Sequence, residues 1–169
     1  MQAIEELSHE RLLVLLKNFA KNWLAHDGLW FQAVERAHGM EHAMELDAEA
    51  YRRFSAIEAK RIKDFLGLSE RGGLEALRAA LGYRLYAVLN KQHSELEQGC
   101  LRFYMNECRV QSARKRRGLP DFPCKKVGLV EYSAFAAEID PRIRTDCIAC
   151  PPDDHPDDYY CGWKFWIEE

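Results

Sequence analysis

The segment ELEQGCLRFYMNECRV, residues 95–110, decides the expected fold, because the periodicity of the chain changes there. Its pattern predicts two short strands joined at Gly99, a residue type that favours tight turns. In the second strand Leu101, Phe103 and Met105 alternate with polar residues and therefore share one face of a sheet. We expect an antiparallel hairpin whose apolar face is buried against a core.

The residues before this hairpin are predicted to be helical, because apolar side chains recur at spacings of three and four. Asp27 interrupts the first helix and is expected to cap the second, and Asp47 is expected to cap a later one. The predicted helices of this half span residues 4–24, 28–37, 40–45, 48–66 and 69–81.

Beyond the hairpin the pattern predicts a further helix over 124–138 and two further strands. A loop rich in Pro and Asp joins those strands, which span 143–148 and 160–168. Residues 83–90 fit either a strand or a helix, and 111–118 fit a basic helix or turn.

Helices followed by strands predict the α+β class, with N-terminal helices packed on a small antiparallel sheet in the C-terminal half. The chain has 169 residues, a length that suits one domain. We therefore expect a single domain over 1–169, mainly helical over 1–82. The remainder, 83–169, is expected to hold the sheet, the inserted helix and a cysteine cluster.

The composition favours a soluble globular protein, because 47% of residues are hydrophobic and 30% are charged. No run approaches the roughly 18 apolar residues of a membrane span, and the acidic N-terminus is unlike a signal peptide. We therefore expect a cytoplasmic protein without a membrane partner. A net charge of −3, and a basic segment 109–126 without interleaved aromatic residues, argue against nucleic acid as a partner.

Cysteine is the unusual component, since all six cysteines lie at or after Cys100. In a reducing compartment they are not expected to form disulfides. Cys147 and Cys150 form a C-x-x-C pair, a spacing that lets two thiolates bind one metal ion. With Cys161 and Cys124 they predict a four-sulfur site for zinc or, alternatively, for an iron–sulfur cluster.

Other roles for the thiols remain open from the sequence. The C-x-x-C pair also fits redox chemistry, and buried cysteines often serve as small apolar residues, the role expected for Cys100. Cys108 fits either a pocket residue or a nucleophile. His155 lies between prolines that stiffen its loop, which suits a metal ligand or an acid–base group.

Six motifs stand out along the chain: DGLWF at 27–31, CRVQ at 108–111, FPCK at 122–125, IDPRI at 139–143, CIACPPD at 147–153 and YCGWKF at 160–165. Together they resemble a family of small cytosolic proteins found mainly in anaerobic prokaryotes. The architecture is distantly similar to L-2-amino-thiazoline-4-carboxylate hydrolases and to the small-molecule-binding domain associated with vinyl reductases of chlorophyll synthesis. These resemblances imply an α+β domain with a ligand pocket and a cysteine-rich end.

Three functions follow as hypotheses. The first is a small-molecule-binding protein with the cysteine metal site, its pocket lined by residues such as Trp30 and Tyr51. The second is a hydrolase of the amino-thiazoline-carboxylate type acting on a small C–N bond, with Cys108 and His155 as catalytic residues. The third is a structural interaction module.

In the hydrolase hypothesis Arg109 and Arg114 bind a substrate carboxylate, because a guanidinium group can donate two parallel hydrogen bonds to it. Under all three hypotheses the chain could form a homodimer.

Overall fold

The computed structural model describes residues 3–168. Met1, Gln2 and Glu169, which the expected domain 1–169 also includes, lie outside the described residues. After a 3₁₀ turn at Ile4–Glu6, the helices are α1 His9–His38, α2 Met40–Leu66, α3 Gly73–Leu81, α4 Leu85–Leu89, α5 Arg109–Arg116 and α6 Lys125–Ile139. The strands are β1 Lys91–Glu97, β2 Cys100–Glu107, β3 Ile143–Ala149 and β4 Cys161–Ile167. The predicted α+β class is confirmed, whereas the single domain stays a prediction.

The strands form one antiparallel sheet in the order β1-β2-β4-β3. The predicted hairpin is confirmed as β1 and β2, and its turn residues Gln98 and Gly99 have φ values of 49° and 74°. Positive φ at both positions gives a turn whose twist matches that of the strands. Leu101, Phe103 and Met105 are buried at alternate positions, as their spacing predicts.

One continuous helix, α1, replaces the two helices expected on either side of residues 26–28. The break falls instead at Gly39, whose φ of 86° suits glycine and ends α1 before α2 begins. Asp27 and Asp47 therefore lie inside helices rather than at their N-caps. The preference of Asp for cap positions is local, and helix continuation together with packing overrides it here.

The two ambiguous segments are both helical. Residues 83–90 contain α4, and the basic segment forms α5, which begins at Arg109, two residues earlier than expected. Their helical state brings α4 against α1 and places Cys108 between β2 and α5.

The core lies between α2, α6 and the sheet. The ring of Tyr132 on α6 stacks on the ring of Trp163 on β4, with centroids 4.7 Å apart. Gly128, one turn earlier on α6, lies directly over the same indole. The small residue thus allows the helix to approach the sheet closely.

A buried arginine joins the helices of this core. Arg84, 2% exposed, donates from Nε to Glu58 on α2 at 2.9 Å and from Nη2 to Glu131 on α6 at 2.6 Å. Each charge is satisfied only while all three side chains stay in place, because removing one partner leaves an uncompensated buried charge.

Within residues 3–168, every helix is too short or too polar to cross a membrane.

We predict opposite effects for alanine at two helical glycines. A Cβ at Gly128 would lie 2.6 Å from Cζ2 of the buried Trp163 ring, so Gly128→Ala should lower the free energy of unfolding by about 1–3 kcal/mol. A Cβ at Gly28 in α1 has no neighbour within 4 Å, so Gly28→Ala should raise it by about 0.5–1 kcal/mol. Urea denaturation of both variants measures the difference. Equal effects would contradict the close contact between α6 and β4.

Candidate functional site

A cavity of about 420 Å³ opens between α1, α2, α4, α5, α6 and one end of the sheet. Leu24 and Phe31 of α1, Tyr51 of α2 and Val127 of α6 give it a mainly apolar wall. Its size and apolar character are typical of a small-molecule site, in which a few polar groups orient the ligand.

Three carboxylates from three helices face this cavity. Burial raises the pKa of Asp27 on α1 and of Glu131 on α6. Burial, and then the nearby charges of Asp27 and Glu131, raise the pKa of Asp47 on α2 to about 7. Glu131 is paired with Arg84, but Asp27 and Asp47 have no ion pair or hydrogen bond to a basic side chain in the described part of the chain.

Two tyrosines line the cavity beside these acids. The hydroxyl groups of Tyr51 and Tyr86 lie 2.5 Å apart, so one donates to the other. Burial raises the pKa of both phenols well above the usual value, and both stay protonated at neutral pH. Since each hydroxyl oxygen has two lone pairs, the pair retains capacity to accept hydrogen bonds from a ligand.

Thiols occupy the sheet end of the cavity. The Sγ atoms of Cys124 and Cys150 lie 3.5 Å apart. The neighbouring thiols, Cys124 first and then Cys147 and Cys161, together with burial, raise the pKa of Cys150, whereas the proximity of Cys150 lowers the pKa of Cys147. The structure therefore brings the four predicted ligands together.

The predicted metal site is nevertheless wrong. No group of three or more Cys, His, Asp or Glu side chains among residues 3–168 is arranged to hold a metal ion. Metal ligation requires several side chains around one shared position, and the described residues do not provide such an arrangement. Trp163 Nε1 also donates to Cys161 Sγ at 3.4 Å, so the sulfurs are engaged with each other and with the protein.

The two residues expected to be catalytic lie apart. Cys108 lines the main cavity, and burial raises its pKa to about 12, which leaves little thiolate at neutral pH. His155 lines a separate polar pocket, and its Nδ1 donates to the carbonyl of Pro156 at 2.8 Å. Their catalytic pairing stays a prediction that this geometry does not favour.

Of the four residues expected to bind substrate, three line the cavity and one does not. Tyr51, Arg109 and Arg114 line the cavity. Arg114 is 3% exposed and is occupied by a bidentate pair with Glu35, at 2.8 and 3.0 Å. Trp30 is 56% exposed on α1, and it is not among the described residues that line the cavity.

Sequence reasoning considered Asp27 as a cap or as a residue orienting a catalytic base, and it missed the other polar residues that line the cavity: Asp47, Tyr86 and Glu131. Two signals were available. Asp47 and Tyr51 are four residues apart and therefore share a helix face, and Glu131 interrupts an otherwise apolar stretch of α6.

The outer face of α1 is the second notable surface. Only Ala20 of its 30 residues is buried, and all of α1 is described. Leu12, Leu16, Phe19 and Trp30 are 38%, 55%, 57% and 56% exposed. We call these four residues the α1 stripe. Scattered exposed apolar residues are normal, but a continuous row marks an interaction surface.

Comparisons with known proteins bear on the fold and on the family. Residues 5–167 match the model of a family of unknown function, DUF6125. No curated protein matches the chain. The chain is similar to the crystal structure of a trafficking protein particle complex subunit 3 from Naegleria fowleri, covalently bound to palmitic acid, with a TM-score of 0.53 and 9% identity. The match covers 92% of this chain and 96% of that one, and at this identity it shows a shared fold alone.

These findings correct the expected metal-binding, hydrolase-like character. The described residues contain no group of side chains arranged to hold a metal ion, and the solved structure that shares the fold is titled a trafficking-complex subunit. The sequence resemblance to L-2-amino-thiazoline-4-carboxylate hydrolases is not tested by these matches.

Replacing the buried acid Asp47 should change stability in a pH-dependent way. The folded pKa of about 7 lies above the ordinary value of 3.8, so the folded state holds a proton that the unfolded state releases first. Stability contributed by this group is therefore present below pH 4 and is lost as pH rises to 7. Asp47→Asn should match the parent protein near pH 4 and be more stable by about 1–3 kcal/mol at pH 8.

Denaturant titrations at pH 4 and pH 8 measure this change. The exposed Asp157 in the loop before β4 provides the matched control, because Asp157→Asn removes the same charge from solvent. Equal stability differences for Asp47→Asn at both pH values would show that the carboxylate is not perturbed by burial.

Proposed function

We propose that this chain, which belongs to the DUF6125 family, is a structural interaction module that pairs with a second copy of itself through α1. The exposed α1 stripe carries this proposal, because an apolar row on a long helix exposes surface that association would remove from water. The shared fold with a subunit of a multi-protein complex supports it.

The stripe follows the spacing of helix–helix packing. Its members belong to a row that alternates steps of four and three residues along α1, which is the 3.5-residue repeat of supercoiled helices. The eight positions are Leu12, Leu16, Phe19, Trp23, His26, Trp30, Ala33 and Ala37. The exposed members of such a row have the spacing needed to pack against a partner helix.

The row extends onto the neighbouring helix. The ring of Trp23 stacks on that of Phe54 in α2, with centroids 5.1 Å apart. Ile57, three residues after Phe54 on the same side of α2, is 48% exposed. The outer apolar surface is therefore formed by both helices around the Trp23–Phe54 stack.

A second copy is the partner that this surface fits best. Apart from His26 the row has no titratable side chain, and neighbouring Leu13, Leu15, Asn22 and Leu29 are uncharged. A two-fold pair brings the same surface of each copy together, so a charged row would repel itself, whereas this uncharged row does not. Nothing in the row provides the charge pattern that selects a different partner.

Charge reversal on the stripe should separate the copies. Leu16→Glu or Phe19→Glu would place an unpaired carboxylate in the apolar interface and should raise the dimer dissociation constant by about 100-fold or more. Asn18→Glu, on the exposed opposite side of α1, introduces the same charge and should leave the dimer intact.

Light scattering coupled to size exclusion measures the mass, which should be twice the 19.7 kDa of the chain for the parent protein and for Asn18→Glu. Circular dichroism shows that each variant is folded. A monomeric parent protein at its highest soluble concentration, or dimers of Leu16→Glu and Phe19→Glu as stable as the parent dimer, would refute the proposal.

A further inference from the structure

Two free thiols from distant parts of the chain meet at the sheet end of the main cavity. Cys124 lies immediately before α6, and Cys150 follows the last residue of β3. Their Sγ atoms are 3.5 Å apart, and neither belongs to a disulfide. A disulfide requires about 2 Å between the two sulfur atoms. The sulfurs are therefore already close to bonding distance.

The backbone holds the two cysteines beside each other without a covalent bond. The amide of Lys125 donates to the carbonyl of Pro151 at 2.9 Å, and these residues directly follow Cys124 and Cys150. The side chains of Lys125 and Asp153 form an ion pair at 2.7 Å across the same junction. Because the two segments are fixed next to each other, a disulfide can form with little movement of the backbone.

The two thiols differ in their access to solvent. Both line the main cavity, but Cys150 is 1% exposed whereas Cys124 is half-buried. Gln111 Nε2 contacts Cys124 Sγ at 3.6 Å and donates to the carbonyl of Phe122 at 2.8 Å, which positions the segment that carries Cys124. A small oxidant that enters the cavity therefore meets Cys124 first, and Cys150 is the second thiol within reach.

We propose that Cys124 and Cys150 form a site of reversible oxidation, at which hydrogen peroxide converts the two thiols into an intramolecular disulfide. The sulfur of Cys124 attacks one peroxide oxygen, the O–O bond breaks, and Cys124 becomes a sulfenic acid while one water molecule leaves. The sulfur of Cys150 then attacks the sulfenic sulfur, and the S–O bond breaks. The hydroxyl group leaves with the Cys150 proton as a second water molecule.

The reaction transfers two electrons from the thiols to the peroxide, and a dithiol such as dithiothreitol returns them by disulfide exchange. The disulfide joins the start of α6 to the end of β3 in the wall of the cavity. The site does not involve the α1 stripe and is independent of self-association.

Peptide mapping after oxidation tests which thiols pair. Reduced protein is treated with hydrogen peroxide, its remaining thiols are alkylated with iodoacetamide in denaturant, and it is digested with trypsin. The sequence predicts one peptide, 118–125, that contains Cys124 alone and another, 145–164, that contains Cys147, Cys150 and Cys161. We expect the two peptides to be joined, with the alkyl label on Cys147 and Cys161, and to separate after treatment with dithiothreitol.

Variants and unfolded protein show whether the fold directs this pairing. Cys124→Ser and Cys150→Ser should each abolish the joined peptide, whereas Cys100→Ser in β2 should leave it unchanged. Protein unfolded in urea and oxidised in the same way should give at least about fivefold less of it, because an unfolded chain does not hold the two sulfurs together. Phe19→Glu should form the same disulfide as the parent protein, which separates this proposal from self-association.

Three results would overturn the proposal. The first is a Cys124 that stays a free thiol or is oxidised only to a sulfinic acid. The second is a disulfide from Cys150 to Cys147 or Cys161 in place of Cys124, and the third is an equal yield of the Cys124–Cys150 disulfide from unfolded protein. Because the mapping is done first on the parent protein, the outcome does not depend on the folding of any variant.

Discussion

Arg84 joins α2 to α6 in a position with almost no access to water, through hydrogen bonds to Glu58 and Glu131. Its guanidinium carbon also lies 4.7 Å from the centre of the Phe135 ring. The charged group is therefore in contact with the aromatic core. The distance between α2 and α6, and so the width of the cavity beside them, depends on this group. Of the three side chains in this group, Glu131 also lines the cavity.

The first helix lies outside this buried framework and serves two surfaces. Its inner side contributes Asp27, Leu24 and Phe31 to the cavity, while its outer side carries the exposed α1 stripe. A helix that packs against its own chain on one side only gains stability when a partner covers the apolar residues of its other side.

The sequence predicts those parts of the structure that depend on local periodicity. The alternation of Leu101, Phe103 and Met105 predicts the central hairpin, and the apolar spacing after Pro123 predicts α6 within one or two residues. The assignment of Asp27 and Asp47 as helix caps is wrong, because cap preference reflects backbone contacts nearby and carries no information about a cavity formed by distant helices. Cysteine spacing groups Cys124 with Cys150, whose Sγ atoms lie 3.5 Å apart, but it does not reveal that the described residues lack an arrangement able to hold a metal ion.

Hydrogen exchange along α1 tests the central claim, self-association through the α1 stripe, most directly. We predict that exchange of the amides of residues 12–19 slows as protein concentration rises through the dimer dissociation constant. Exchange in α3, Gly73–Leu81, should stay constant because that helix is already packed in the core. Exchange in residues 12–19 that is rapid and independent of concentration, in a protein shown to be folded, would contradict the account.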